Sequence, residues 1–146
     1  MIHLVDVNKD NWEECIALPI SDDHNHNVAP NVYSIAEASF YPELKACCIY
    51  DDDKMVGFTM YGINDQDNRF WIVRLMVAED QRRKGYGREA LKLIIEEARK
   101  KGVEEIVLST HPDNFKAIKL YESMGFKDTG EMDGNEEVFI CQIKEG

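Results

Sequence analysis

Residues 81–88 read Gln-Arg-Arg-Lys-Gly-Tyr-Gly-Arg, four cations threaded with two glycines. They sit in a chain of 146 residues with 28 acidic and 17 basic side chains, a formal charge of −11. Glycines between a strand and a helix let backbone N–H groups close on an anion with no Cβ in the way. The helix N-terminus beyond adds unsatisfied donors and a partial positive charge. Arg82, Arg83, Lys84 and Arg88 give this one place a field opposite to that of the whole chain. A phosphate or pyrophosphate ligand explains the three features together; a helix start that is basic by coincidence explains them one at a time. Two other phosphate-binding patterns are absent. Lys84 precedes Gly85, with no Ser or Thr following as the G-x-x-x-x-G-K-[ST] loop needs, and position 90 is Ala where G-x-G-x-x-G needs Gly.

Other constellations carry less. Asp22-Asp23-His24-Asn25-His26 has metal-ligand residue types, but adjacent ligands on a loop give poor geometry, so a solvated loop is expected and no metal. Cys15, Cys47, Cys48 and Cys141 form no C-x-x-C pair and read as reduced, small hydrophobes, with Cys47 and Cys48 on opposite faces of a strand. The net charge argues against nucleic acid. It suits a small cationic substrate, and it equally suits a chain kept soluble by its acidity. The N-terminus lacks a cationic start and a long apolar run, and no stretch approaches the ~20 apolar residues of a membrane span, so a cytoplasmic protein is expected.

The elements that must position these residues can be traced along the chain, which by length reads as one domain over 1–146. Ile2–Val7 alternates as a strand, and Asp10–Leu18 suits a short helix ended by Pro19. Ser21–Asn31 is loop-like, and Val32–Phe40 has helical spacing with Asn31 available as its cap. Ala46–Tyr50 and Met55–Ile63 form a hairpin around Asp-Asp-Asp-Lys. Arg69–Val77 (RFWIVRLMV) reads as a central strand buried on both faces, with Phe70 and Trp71 in the core. Gly85–Lys101 has Ala90, Leu91, Ile94, Ile95 and Ala98 on one stripe. Glu105–Thr110 is a strand, Asn114–Met124 a helix stopped by Gly125, and Phe126–Glu131 and Glu137–Ile143 a closing pair of strands. The pattern is mixed α/β, with an antiparallel hairpin early and a β-α-β-α-β run late.

Arg82-x-x-Gly85-x-Gly87, following the strand Ile72–Val77, resembles the acetyl-CoA pyrophosphate loop of the GNAT N-acetyltransferases. Asn114-x-x-Ala117-x-x-Leu120-Tyr121-x-x-x-Gly125-Phe126 resembles the same family's second motif. The stretches 27–38, 56–62 and 129–138 resemble its spermine/spermidine acetyltransferase group. The resemblance implies an acyl-CoA N-acyltransferase fold, a strongly twisted mixed sheet of about seven strands flanked by about four helices. It implies acetyl transfer from acetyl-CoA to a primary amine, most readily a polyamine such as spermidine or spermine. A protein N-terminus, an aminoglycoside, another small amine, or acetyl-CoA binding without turnover are the alternatives. The family also admits a homodimer.

By the same resemblance the cofactor site comprises Leu75, Met76, Val77, Arg82, Arg83, Lys84, Gly85, Tyr86, Gly87, Arg88 and Asn114. Main-chain groups of 75–77 would pair with the extended pantetheine arm and offer an oxyanion donor. Tyr121 is the candidate general acid, since a phenol near pKa ~10 stays protonated at neutral pH and can protonate a leaving thiolate. Its spacing with Ile118 and Met124 would equally suit a core tyrosine. Glu37, Asp22 and Asp23 are the candidate amine-binding residues, and Trp12 and Tyr33 either line an acceptor groove or pack in the helical layer. The proton acceptor stays open. Ile72, Val73 and Arg74 offer no base, and Glu37, His111 or a water chain are the options.

Overall fold

The computed structural model describes residues 1–20 and 30–143. Seven strands form one sheet in the order β1-β2-β3-β4-β5-β7-β6. They are β1 (Ile2–Asp6), β2 (Leu44–Asp51), β3 (Lys54–Ile63), β4 (Phe70–Val77), β5 (Glu105–Thr110), β6 (Lys127–Asp133) and β7 (Glu136–Gln142). Every pairing is antiparallel except β4 with β5. A parallel pair needs a crossover, and the helix α3 (Tyr86–Lys100) provides it. The remaining helices are α1 (Trp12–Ile16), α2 (Asn31–Ala38) and α4 (Phe115–Ser123).

α3 buries the stripe expected of it, Ala90, Leu91, Ile94, Ile95 and Ala98. Leu91 and Ile94 are fully covered, which stabilises the fold by roughly 2 kcal/mol for each such side chain. They pack with Tyr61, Phe70, Ile72, Leu108, Phe139 and Tyr121 in the main core. On the opposite face α1 and α2 cover a second cluster of Cys15, Cys48, Met55, Phe58, Met60 and Met76. Cys47 belongs to the first cluster and Cys48 to the second, as strand alternation requires, and all four thiols are free and buried. Burial pushes the Cys47 thiol up to about 12, so it stays protonated and unreactive.

β4 departs from the unbroken, doubly buried strand expected from its sequence. Tyr61 of β3 stands opposite Ile72 and Met60 opposite Arg74, so Val73 is the extra residue of a β-bulge. Val73 is 43% exposed. The bulge coincides with the end of β4–β5 pairing, whose last partners are Ile72 and Leu108. Both strands continue beyond that point, so they splay apart and leave the β5-facing edge of residues 74–77 open. The bulge also resets the alternation, turning Arg74 and Met76 toward the α1–α2 face.

Two side-chain placements differ from expectation. Asn31 does not cap α2; Pro30 occupies that position, and Asn31 lies inside the helix, 1% exposed. Its amide donates to the Cys15 carbonyl at 2.9 Å and accepts from Arg74 Nη2 at 3.3 Å, tying α2 to α1 and β4. Phe70 is core, but Trp71 is only half-buried and donates its indole N–H to Asp67 Oδ2 at 2.9 Å.

Candidate active site

A cavity of about 460 Å³ opens where the splayed end of β4 meets the starts of α3 and α4. Arg74, Leu75, Met76 and Val77 line it from β4. Arg82, Arg83, Gly85, Tyr86, Gly87 and Arg88 line it from the loop and first turn of α3, and Asn114, Lys116, Ala117, Leu120 and Tyr121 from α4. Five of these residues are cationic and none is a carboxylate. Lys84 is not among the lining residues, but its Nζ donates at 3.1 Å to Oε1 of Gln81, which is.

The loop is shaped by two left-handed residues, Arg83 at φ 67° and Gly85 at φ 80°. Arg83 bears a strain of roughly 1 kcal/mol in this conformation, the kind of distortion that tends to concentrate at binding sites. α3 makes its first helical bond from Glu89 N to Gly85 O at 3.1 Å. The N–H groups of Tyr86, Gly87 and Arg88 therefore have no intrahelical acceptor, and all three residues line the cavity. Tyr86 anchors the turn by donating its hydroxyl to Asp51 Oδ2 at 2.8 Å. Arg88 is steered by Ser123 Oγ at 2.6 Å and Met124 Sδ at 3.2 Å. Asn114 caps α4, its Oδ1 accepting from Ala117 N at 3.4 Å.

Tyr121 stands near the far end of α4, where Phe126 N–H returns to the Tyr121 carbonyl at 3.0 Å over Gly125, φ 99°. The Phe126 ring packs against its ring, 6.0 Å between centroids. The Tyr121 hydroxyl makes no hydrogen bond among the described residues, although it lines the cavity. Burial pushes the phenol up to about 12; the Glu136 carboxylate adds to the shift and the Arg74 guanidinium opposes it. Burial also draws Arg74 down to about 10, and its Nε is buried without a partner among the described residues. An orphaned guanidinium N–H, a free phenol and three open helix amides are the donors that an anionic, thioester-bearing ligand can satisfy.

Across the splay, the other face carries the opposite charge. A recess of about 230 Å³ is lined by Glu37, Tyr41, Glu43, Asp65 and Val73 among others. It shares Asn64, Gln66 and Val73 with a groove of about 500 Å³ whose walls include Asp67, Glu131, Asp133 and Glu136. Among the described residues Arg69 is the only cation lining either, and it lies 3.5 Å from Glu131. Glu37 lines the recess, while Asp22 and Asp23 fall outside the described residues. His111 lines none of these three spaces; its Nδ1 accepts from Asp113 N at 3.3 Å. Trp12 and Tyr33 line none of them either and are exposed.

The sequence matches the acetyltransferase (GNAT) family over residues 6–126. The protein belongs to that family. This acetyltransferase has acetyl-CoA as its co-substrate. It is 31% identical to the spermine/spermidine N(1)-acetyltransferase of Bacillus subtilis, over 97% of this chain and 99% of that one. Its fold superposes on an acetyltransferase from Thermus thermophilus with a TM-score of 0.79 at 16% identity, covering 97% of each chain. The PaiA N-acetyltransferase of Thermoplasma acidophilum, solved with coenzyme A, gives 0.74 at 17% identity over 97% of this chain and 99% of that one.

Arg74, which offers no base, is not among the cofactor residues expected from sequence, although it stands out as the one charge inside the apolar run Ile72–Val77. Ser109 and Glu136 left none, because only the splay brings them to the groove.

Proposed function

We propose that this acetyltransferase is a cytoplasmic enzyme that acts on a polyamine such as spermidine or spermine. The observation that carries the reading is the division of charge about the bulge at Val73: cations on the cofactor side, carboxylates on the other. A ligand with several ammonium groups gains from every carboxylate along such a wall. A peptide N-terminus gains from one. The whole-length likeness to a spermine/spermidine acetyltransferase supports the same substrate class.

In this reading Arg82, Arg83, Arg88 and the open amides of residues 86–88 grip the diphosphate. The exposed edge of Leu75–Val77 pairs with the pantetheine arm and directs an N–H at the thioester oxygen. Glu37 grips an ammonium group, with Asp22 and Asp23 proposed to assist. The amine nitrogen attacks the thioester carbon, the C–S bond breaks, and Tyr121 gives its proton to the departing sulfur.

The test is an acceptor panel read by release of the CoA thiol, comparing spermidine, spermine, a peptide N-terminus and an aminoglycoside. Polyamines are expected to be favoured by at least about tenfold in kcat/KM, since each rim charge contributes modestly. Turnover of the peptide without the polyamines would overturn the substrate, and cofactor binding with no thiol release for any amine would reduce the protein to a cofactor-binding module.

The cofactor half is tested separately at Gly87. Its φ is not one that demands glycine, and a Cβ there would only touch Leu120 Cδ2 at 3.4 Å and Val77 Cγ2 at 3.9 Å. Gly87→Ala is therefore expected to hold or slightly raise the melting temperature, because alanine is the better helix former. The added methyl at the helix mouth is expected to weaken acetyl-CoA binding about tenfold by calorimetry, a loss of one well-placed contact. Unchanged affinity would remove the first turn of α3 from the diphosphate site.

A further inference from the structure

We infer that Glu136 is the proton acceptor for the incoming amine, with Ser109 as its positioning residue. The inference rests on the reading above that an ammonium group enters through the acidic groove. Such an ammonium is almost wholly protonated at neutral pH and must lose a proton before its nitrogen can attack. The bulge at Val73 takes side-chain chemistry away from the middle of β4, which carries no carboxylate among residues 70–77.

Glu136 is the first residue of β7, beside β5 in the sheet, and it lines the groove together with Ile72, Val73 and Ser109. Those residues sit where β4 and β5 part, since their pairing ends at Ile72 and Leu108. Ser109 is the next residue of β5, and its hydroxyl donates to Glu136 Oε1 at 2.7 Å in a half-buried setting. One oxygen is thereby fixed, and the other keeps its lone pairs for an amine or a bridging water. The groups around it are Asp67 and Arg69 from the β3–β4 connection, Glu131 and Asp133 from β6, and Tyr121 from α4. Arg69 is turned to Glu131 and Asp67 receives the Trp71 indole N–H, so two of the neighbouring carboxylates are engaged elsewhere. Glu136 and Tyr121 thus flank the splay, one from each face, as a base and an acid acting on one amine and one thioester should.

The step balances. The ammonium gives one proton to the Glu136 carboxylate, and the freed nitrogen lone pair forms the N–C bond. The C–S pair leaves on sulfur, which takes the Tyr121 proton; the second nitrogen proton passes to the Tyr121 phenolate. Glu136 then returns its proton to solvent, so that one ammonium and one thioester give one amide, one thiol and one proton.

The experiment compares wild type with Glu136→Gln, Glu136→Asp and Ser109→Ala at saturating amine, using whichever amine the panel shows to be accepted. Failure of the polyamine reading therefore shows in the panel, and failure of this inference in the variants. Glu136→Gln is expected to lower kcat by about 100-fold at pH 7.5, with acetyl-CoA affinity and melting temperature kept. Its deficit should shrink about tenfold per pH unit as solvent deprotonates more of the amine. Glu136→Asp should recover part of the rate, and Ser109→Ala should lose about fivefold with the same narrowing at high pH. A kcat within threefold of wild type, a rise in KM alone, or a deficit equal at every pH would overturn the assignment. The last two outcomes would make Glu136 a binder of charge and nothing more.

Discussion

Tyr121→Phe is expected to slow acetyl transfer about 100-fold or more while leaving acetyl-CoA binding within about twofold. The substitution removes one oxygen and nothing else. The hydroxyl bonds to no described residue, so no buried partner is stranded by its loss. The ring keeps its place against Phe126, and the melting temperature should move by no more than a degree or two. With its phenol pushed up to about 12, Tyr121 holds its proton throughout the working range. The wild-type rate should accordingly show no decline from ionisation of this acid below about pH 10. Rates measured at saturating amine, with cofactor affinity by calorimetry, decide the matter. A phenylalanine variant of near-normal rate would return Tyr121 to the role of a core side chain.

The second large effect is on the fold itself. Gly57 of β3 stands opposite Val77 of β4, and a Cβ added there would lie 2.3 Å from the Met76 carbonyl oxygen and 3.3 Å from Val77 Cα. Backbone cannot yield as a flexible side chain does. Gly57→Ala must push β4 away from β3, at a cost of about 3 kcal/mol, the upper part of the usual range for overpacking. Denaturant unfolding should register that loss. Because the displaced segment is the edge proposed for the pantetheine arm, affinity for acetyl-CoA should fall as well. Gly85→Ala is the contrast, since its Cβ would meet open space and only the φ of 80° opposes it. A Gly57→Ala protein of unaltered stability would mean that the β3–β4 spacing is far softer than a central antiparallel pair should be.

Local rules explain why so much of this architecture could be read from sequence. The α3 stripe, the Asn114 cap, the Gly125 stop and the opposed Cys47 and Cys48 each depend on a few neighbouring residues. The glycine-bearing cationic loop that lines the cavity was legible for the same reason, as its glycines and cations are contiguous. What escaped depends on distant chain segments. Nothing in RFWIVRLMV marks Val73 as a bulge, because a bulge is a relation between two strands. Once β4 is bulged, Arg74 turns toward α2, Asn31 becomes its buried partner, and a hairpin turn far along the chain supplies a carboxylate beside the splay. Lys84 is contiguous with the lining cations but reaches the cavity wall only through Gln81, which accepts from its Nζ.

The opposed charges on the two sides of β4 also bear on what happens after the chemistry. Acetylation converts a cationic nitrogen into a neutral amide, so a product bound as proposed would have one fewer attraction to the carboxylate-lined wall than its substrate had. In the proposed reading the spent coenzyme retains every phosphate that the cationic cavity would hold. The acylated amine should therefore depart first and CoA last, making the exchange of one coenzyme for the next the slow step that ends each turnover.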